Sequence, residues 1–180
     1  MFVYRTAIAD AQKFFIGIDP NRKPLEKISE KIYRKPGKGG LTNAMFVQAA
    51  VEDLPAELSN IASEVYVNFP WGSLLRTVAG VDIAGLRRIR EVWSARAKVR
   101  IVFGIDPVRD RAEIARLGLP ELTLDYLDST LATNYRSAGL EVVERRLLDT
   151  TDALHAETSW GRRLRQNRNR MGVHMVARPV

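Results

Sequence analysis

The chain has 180 residues with 28 basic and 21 acidic side chains, a formal charge of +7, and no cysteine. Its 46% apolar and 27% charged residues exclude general disorder, and the missing cysteines exclude disulfide frameworks, thiolate metal sites and cysteine nucleophiles. No apolar run approaches the ~18–20 residues of a membrane helix and no signal peptide stands at Met1 to Asp10, so a cytoplasmic protein of one domain, residues 1–180, is expected.

In chain order, Phe2 to Ala9 reads as a helix directly after Met1. Near-continuous apolar runs then mark strands at Phe14 to Ile18, Ala44 to Val47, Val65 to Phe69 and Val99 to Phe103, with weaker ones at Glu141 to Val143 and Val173 to Val176. Runs apolar on both faces suit a parallel sheet covered by helices on each side. Between them, Leu25, Ile28 and Ile32 recur at helical spacing, as do Leu86, Ile89, Val92 and Trp93, and later Leu124, Leu127, Leu131 and Tyr135. Gly139 reads as a helix C-terminal cap ahead of the Glu141 strand. This alternation predicts a layered α/β fold.

Several groups stand where chemistry could occur. Asp19 ends a buried strand, the place where doubly wound folds bind ligands and where a carboxylate holds a ribose diol. The competing reading is a cap for the helix near Asn21 to Pro24. Arg22, Lys23, Lys27, Lys31, Arg34, Lys35 and Lys38 form a cationic stretch suited to phosphates, or a solvated helix face interleaved with Glu26 and Glu30. Phe69-Pro70-Trp71-Gly72 follows a strand, and proline ends the ladder there. Trp71 then either caps the core or faces a ligand. Trp160 precedes Arg162, Arg163, Arg165, Arg168 and Arg170, and an aromatic beside arginines suits an extruded base. The pI near 10.0 points the same way, toward RNA. His155 and His174 lack the spacing of a metal site or a catalytic triad and read as structural, so no metal is expected. No phosphate-binding loop and no nucleophile elbow are present in the sequence.

Longer strings carry a resemblance. They are Ile16-Gly17-Ile18-Asp19-Pro20, Lys35-Pro36-Gly37-Lys38-Gly39-Gly40-Leu41-Thr42-Asn43, Ala49-Ala50-Val51-Glu52-Asp53-Leu54-Pro55, Phe69-Pro70-Trp71-Gly72-Ser73-Leu74-Leu75 and Glu157-Thr158-Ser159-Trp160-Gly161-Arg162-Arg163-Leu164. In order and spacing the chain resembles the 16S rRNA (adenine-1408 N1)-methyltransferases that confer kanamycin and apramycin resistance. The resemblance implies a Rossmann-like class I fold that uses S-adenosylmethionine (SAM), with strand order 3-2-1-4-5-7-6. It implies that Asp19 holds the cofactor ribose, that Val51 and Glu52 frame its adenine, and that Pro70, Thr158 and Arg163 line its methionine end. Trp71 and Trp160 would sandwich the flipped adenine, Arg168 and Arg170 would hold nearby rRNA, and Lys31, Arg34 and Lys35 would dock on 16S rRNA in the 30S subunit. The position of Glu30 is lysine in some relatives. A monomer is expected.

The chain departs from the family at its start. There, a strand and a G-T-G-D-G turn immediately precede the helix that matches Phe2 to Ala9. The first strand and the glycine-rich turn are therefore expected to be missing, either through a start codon assigned too late, the favoured reading because the downstream motifs are intact, or because the chain is a true fragment. The alternatives are another RNA methyltransferase, for tRNA or rRNA, and a non-catalytic RNA-binding remnant.

Overall fold

The computed structural model describes residues 2–148 and 171–180. These fall into two compact units that divide after Asp53.

The first unit holds α1 (Phe2–Ala9), β1 (Phe15–Asp19), α2 (Arg22–Ile32), a 3₁₀ turn (Pro36–Lys38) and β2 (Ala44–Gln48). β1 and β2 run parallel, with Phe15 opposite Ala44 and Asp19 opposite Gln48. Pro24 suits the first turn of α2, where the first amides have no helical acceptor. The apolar residues Leu25, Ile28 and Ile32 face inward, and Ile32 is buried. Hydrogen bonds do much of the remaining work. The Asn43 side-chain amide lies 2.9 to 3.2 Å from the carbonyl oxygens of Ala7, Asp10 and Lys13, tying the end of α1 to the start of β2.

The second unit holds β3 (Ala62–Asn68), α3 (Gly72–Val78), α4 (Ile83–Val92), β4 (Trp93–Ile105), α5 (Arg111–Leu117), α6 (Leu124–Tyr126), a π-helical turn (Leu127–Leu131), α7 (Ala132–Ser137), β5 (Leu140–Leu148) and β6 (Met171–Pro179). The sheet order is β3-β4-β6-β5. β3 and β4 are parallel, as expected, while β6 runs antiparallel to both β4 and β5, so the sheet is mixed. Along β4, Val99, Ile101 and Phe103 are completely buried. Arg100 and Val102 on the other face keep some solvent contact, an alternation where continuous burial was expected. Each fully buried side chain of this kind contributes about 1.5–3 kcal/mol.

Among the described residues the strands form two separate sheets, β1-β2 and β3-β4-β6-β5.

Trp93 departs from its expected place. Its spacing groups it with the helical stripe of Leu86, Ile89 and Val92, yet its backbone (φ −88°, ψ 132°) is already extended, and it opens β4 with its indole buried. The cap of α4 instead lies at its start, where the Asp82 carboxylate accepts from the Gly85 N–H at 2.9 Å. The helical stripe at Leu124 to Tyr135 is real but is broken by the π turn into α6 and α7. Gly139 follows α7, its N–H donating to the Arg136 carbonyl at 3.0 Å, before β5 begins.

Three side chains from this stripe hold the end of α3. Tyr135 Oη donates to the Val78 carbonyl at 2.7 Å and Tyr126 Oη to the Ala79 carbonyl at 2.8 Å. Asn134 Nδ2 donates to the Gly80 carbonyl at 2.9 Å. The last carbonyls of a helix have no helical donor of their own. Here three in a row receive donors from residues 47 to 57 positions away.

Candidate functional site

In the first unit, Asp19 is the final residue of β1 and is half-buried. Its Oδ1 accepts from the Asn21 N–H at 2.8 Å, which fixes the carboxylate at the carboxyl end of the strand. The capping position of α2 belongs to Asn21, whose side chain makes no capping bond. Asp19 therefore orders the turn before the helix and is not the helix cap. A carboxylate fixed through one oxygen can accept hydrogen bonds from a pair of hydroxyl groups. That donor chemistry fits a cofactor ribose.

Because β1 and β2 are parallel neighbours, the loops that follow them leave from the same edge. Gln48, which ends β2, donates through Nε2 to the Pro20 carbonyl at 3.3 Å and links the two loops. Val51 and Glu52 lie on the second loop, which turns through an Asp53 N–H bond to the Ala50 carbonyl at 3.1 Å. Val51 is buried and Glu52 is exposed. The fold thus brings Asp19, Val51 and Glu52 to one edge.

The basic residues are arranged differently from the expected stripe. α2 ends at Ile32, so of the seven cations only Arg22, Lys23, Lys27 and Lys31 lie on the helix. Pro36 disfavours helical backbone at Lys35, which is extended (φ −57°, ψ 146°), and Arg34, Lys35 and Lys38 lie exposed on the turn that follows. Lys31 has a packing partner: its Nζ sits 3.9 Å from the centre of the Tyr4 ring. Tyr4 Oη in turn donates to the Gly39 carbonyl at 2.9 Å. The two glycines of the motif are needed by the turn. Gly39 has φ +86°, and a Cβ on Gly40 would lie 1.7 Å from the Arg34 carbonyl oxygen. Among the apolar side chains, Tyr33 stands out at 82% exposed, a feature that sequence patterning passed over.

In the second unit the chain leaves β3 through an unusual corner. Phe69 is buried with φ +50°, a costly conformation for this side chain, and its N–H donates to the Val102 carbonyl at 2.7 Å. Pro70 follows, then Trp71 at the capping position of α3. Trp71 is 44% exposed, whereas Trp93 is 1% exposed, so among the described residues the core tryptophan of this unit is Trp93. Thr158, Trp160, Arg163, Arg168 and Arg170 lie outside the described residues.

Comparison with known proteins places this arrangement. The family model described as 16S rRNA (adenine(1408)-N(1))-methyltransferase matches residues 1–178. A protein of that name from Escherichia coli is 36% identical over 169 residues, covering 93% of this chain and 77% of its own length. Its counterpart from Streptoalloteichus tenebrarius is 35% identical, covering 94% of this chain and 78% of its own. The crystal structure of the aminoglycoside resistance methyltransferase NpmB1 is 48% identical with a TM-score of 0.80, covering 98% of this chain and 81% of that one. A variant of the 16S rRNA (adenine(1408)-N(1))-methyltransferase from Catenulisporales acidiphilia, solved with its cosubstrate SAM, is 34% identical with a TM-score of 0.86. It covers 99% of this chain and 80% of that one. The chain has the Rossmann-like methyltransferase fold and belongs to the 16S rRNA (adenine(1408)-N(1))-methyltransferase family.

Proposed function

We propose that the protein moves the methyl group of SAM to N1 of adenine 1408 in the 16S rRNA of the 30S subunit, and so confers aminoglycoside resistance. The observation that carries this reading is the family match over residues 1–178, joined to a half-exposed Trp71 at the carboxyl end of β3. The protein acts in the cytoplasm, as a monomer and as a single methyltransferase domain. No helix among the described residues is long and apolar enough to cross a membrane.

Adenine N1 lies on the Watson–Crick edge, so the base must leave its stack before methylation. Trp71 and Trp160 hold the extruded ring from its two faces, offsetting the lost stacking by ~1–3 kcal/mol per base. SAM supplies an electrophilic methyl on a sulfonium. Asp19 would accept from its ribose hydroxyls, Val51 and Glu52 would flank its adenine, and Pro70, Thr158 and Arg163 would border its methionine end. N1 carries its own lone pair, so the reaction calls on no general base from the chain. What the side chains contribute is alignment of base and methyl. Arg168 and Arg170 grip rRNA beside the target, while Lys31, Arg34 and Lys35 dock on its backbone. These cations read shape and phosphate, and the folded subunit surface provides selectivity.

Purified 30S subunits incubated with SAM and the protein, then read by primer extension, test the reading. A reverse-transcription stop at adenine 1408 is expected, whereas methylated nucleosides in tRNA instead would favour a different RNA methyltransferase. Trp71→Ala should abolish the stop while calorimetry shows nearly unchanged SAM affinity. Binding to 30S subunits without methylation would favour the RNA-binding remnant.

A further inference from the structure

From Lys31 to Val51 the sequence has four cations, Lys31, Arg34, Lys35 and Lys38, and no acidic residue. Lys31 lies over Tyr4, which leaves Arg34, Lys35 and Lys38 exposed. Tyr33 stands among them with its ring in solvent.

An exposed tyrosine alone means little, since folded proteins expose much apolar surface. The backbone beneath this one is unusually well tied. The Tyr33 N–H donates to the Ser29 carbonyl at 3.2 Å, the Arg34 N–H to Lys31 at 3.3 Å, and the Leu41 N–H to Ile32 at 2.9 Å. The Gly40 N–H closes the turn onto the Lys35 carbonyl at 3.2 Å, and Tyr4 holds Gly39 from the other side. The sequence thus builds a fixed turn whose outer surface is one aromatic ring rimmed by three cations. Such a surface complements a polyanion that also offers flat apolar faces, which is the chemistry of RNA. Because the turn is already ordered, little conformational freedom is lost when the ring is covered.

We propose that Tyr33 stacks on a nucleobase of the rRNA surface while Arg34, Lys35 and Lys38 contact the flanking phosphates. The inference rests on the RNA-docking role given to this segment above. It divides the labour there: the cations carry the salt-dependent part of the affinity, and Tyr33 carries a part independent of salt.

That division can be measured by filter binding of labelled 30S subunits to the full chain across a salt series. Tyr33→Ala should weaken binding about tenfold at every salt concentration, within the range seen for lost base stacking. Its log–log salt slope should match that of the unaltered chain. Tyr33→Phe should bind like the unaltered chain, because a phenyl ring stacks without the hydroxyl. Lys35→Glu should flatten the slope by up to about one unit. Unchanged affinity in Tyr33→Ala alongside a flattened slope in Lys35→Glu would overturn the stacking role and leave the docking role standing. A loss in Tyr33→Phe equal to that in Tyr33→Ala would also overturn it, since the hydroxyl would then be the contact. Unchanged binding in both Tyr33→Ala and Lys35→Glu would overturn the docking role itself. The exposed ring makes all three variants fold normally, which circular dichroism would check.

Discussion

Leu75, Val78, Val99, Ile101 and Phe103 of residues 54–180 lose all contact with solvent, whereas the deepest hydrophobic side chains of residues 1–53, Ala7 and Ile32, each keep 2%. The first region has a two-stranded sheet and the second a four-stranded one. Two strands with short flanking helices cannot close a core of their own. The first region instead relies on polar ties: Asn43 reaching three carbonyls, Tyr4 bonded to Gly39, and Asp19 bonded to Asn21. It carries Asp19 and the cations proposed to dock on rRNA, while the second carries Trp71 on a buried frame. The groups proposed to meet a large charged partner are borne by a two-stranded, hydrogen-bonded unit. The aromatic proposed to hold a single base is borne by the part with a deep core.

Core truncation should give the largest contrast. Phe103→Ala should cost about 3–5 kcal/mol in urea unfolding, and Phe14→Ala, whose ring is exposed, no more than about 0.5 kcal/mol. Similar costs for the two would break the comparison.

An intermediate effect is expected at Tyr135. Removing its hydroxyl leaves the Val78 carbonyl without that donor, at a cost of about 1–3 kcal/mol. Burial also pushes its ionisation well above the usual tyrosine value near 10. A group whose folded-state pKa is raised adds stability that is complete below the unfolded value and is lost as pH rises beyond it. The melting temperature of the unaltered chain should therefore fall more steeply above about pH 10 than that of Tyr135→Phe. Parallel alkaline limbs would show that the hydroxyl contributes nothing there.

The smallest effect sharpens the picture of the first region. Lys31→Ala should lose about 0.5–1 kcal/mol through its contact with Tyr4. Lys35→Ala, exposed on the turn, should leave unfolding unchanged. Equal urea midpoints for the two would mean that Lys31 is as free as its neighbour.

Much of this layout was legible in the sequence because its signals are local. Asp19 and Pro70-Trp71 follow directly on apolar runs, so their places at strand ends could be read from spacing alone. Trp93 could not, because Leu86, Ile89 and Val92 share its helical phase. Only the alternation of Ala97, Val99, Ile101 and Phe103 beyond it shows that the strand begins there. The antiparallel course of β6 depends on its pairing with β4 and β5, which no local pattern encodes. The partnership of Lys31 with Tyr4 joins residues from α1 and α2 and became visible only in three dimensions.

The clasp on Val78, Ala79 and Gly80 has a mechanical consequence for Trp71. α3 is tethered at its far end by three side-chain bonds, while its near end begins at Gly72, with φ +61° and nothing within 4 Å of where a Cβ would stand. Few non-glycine residues would accept that backbone angle. Under the proposed role, a base pressing on the indole would therefore load a glycine joint at the near end of α3, while the clasp holds the far end against sliding.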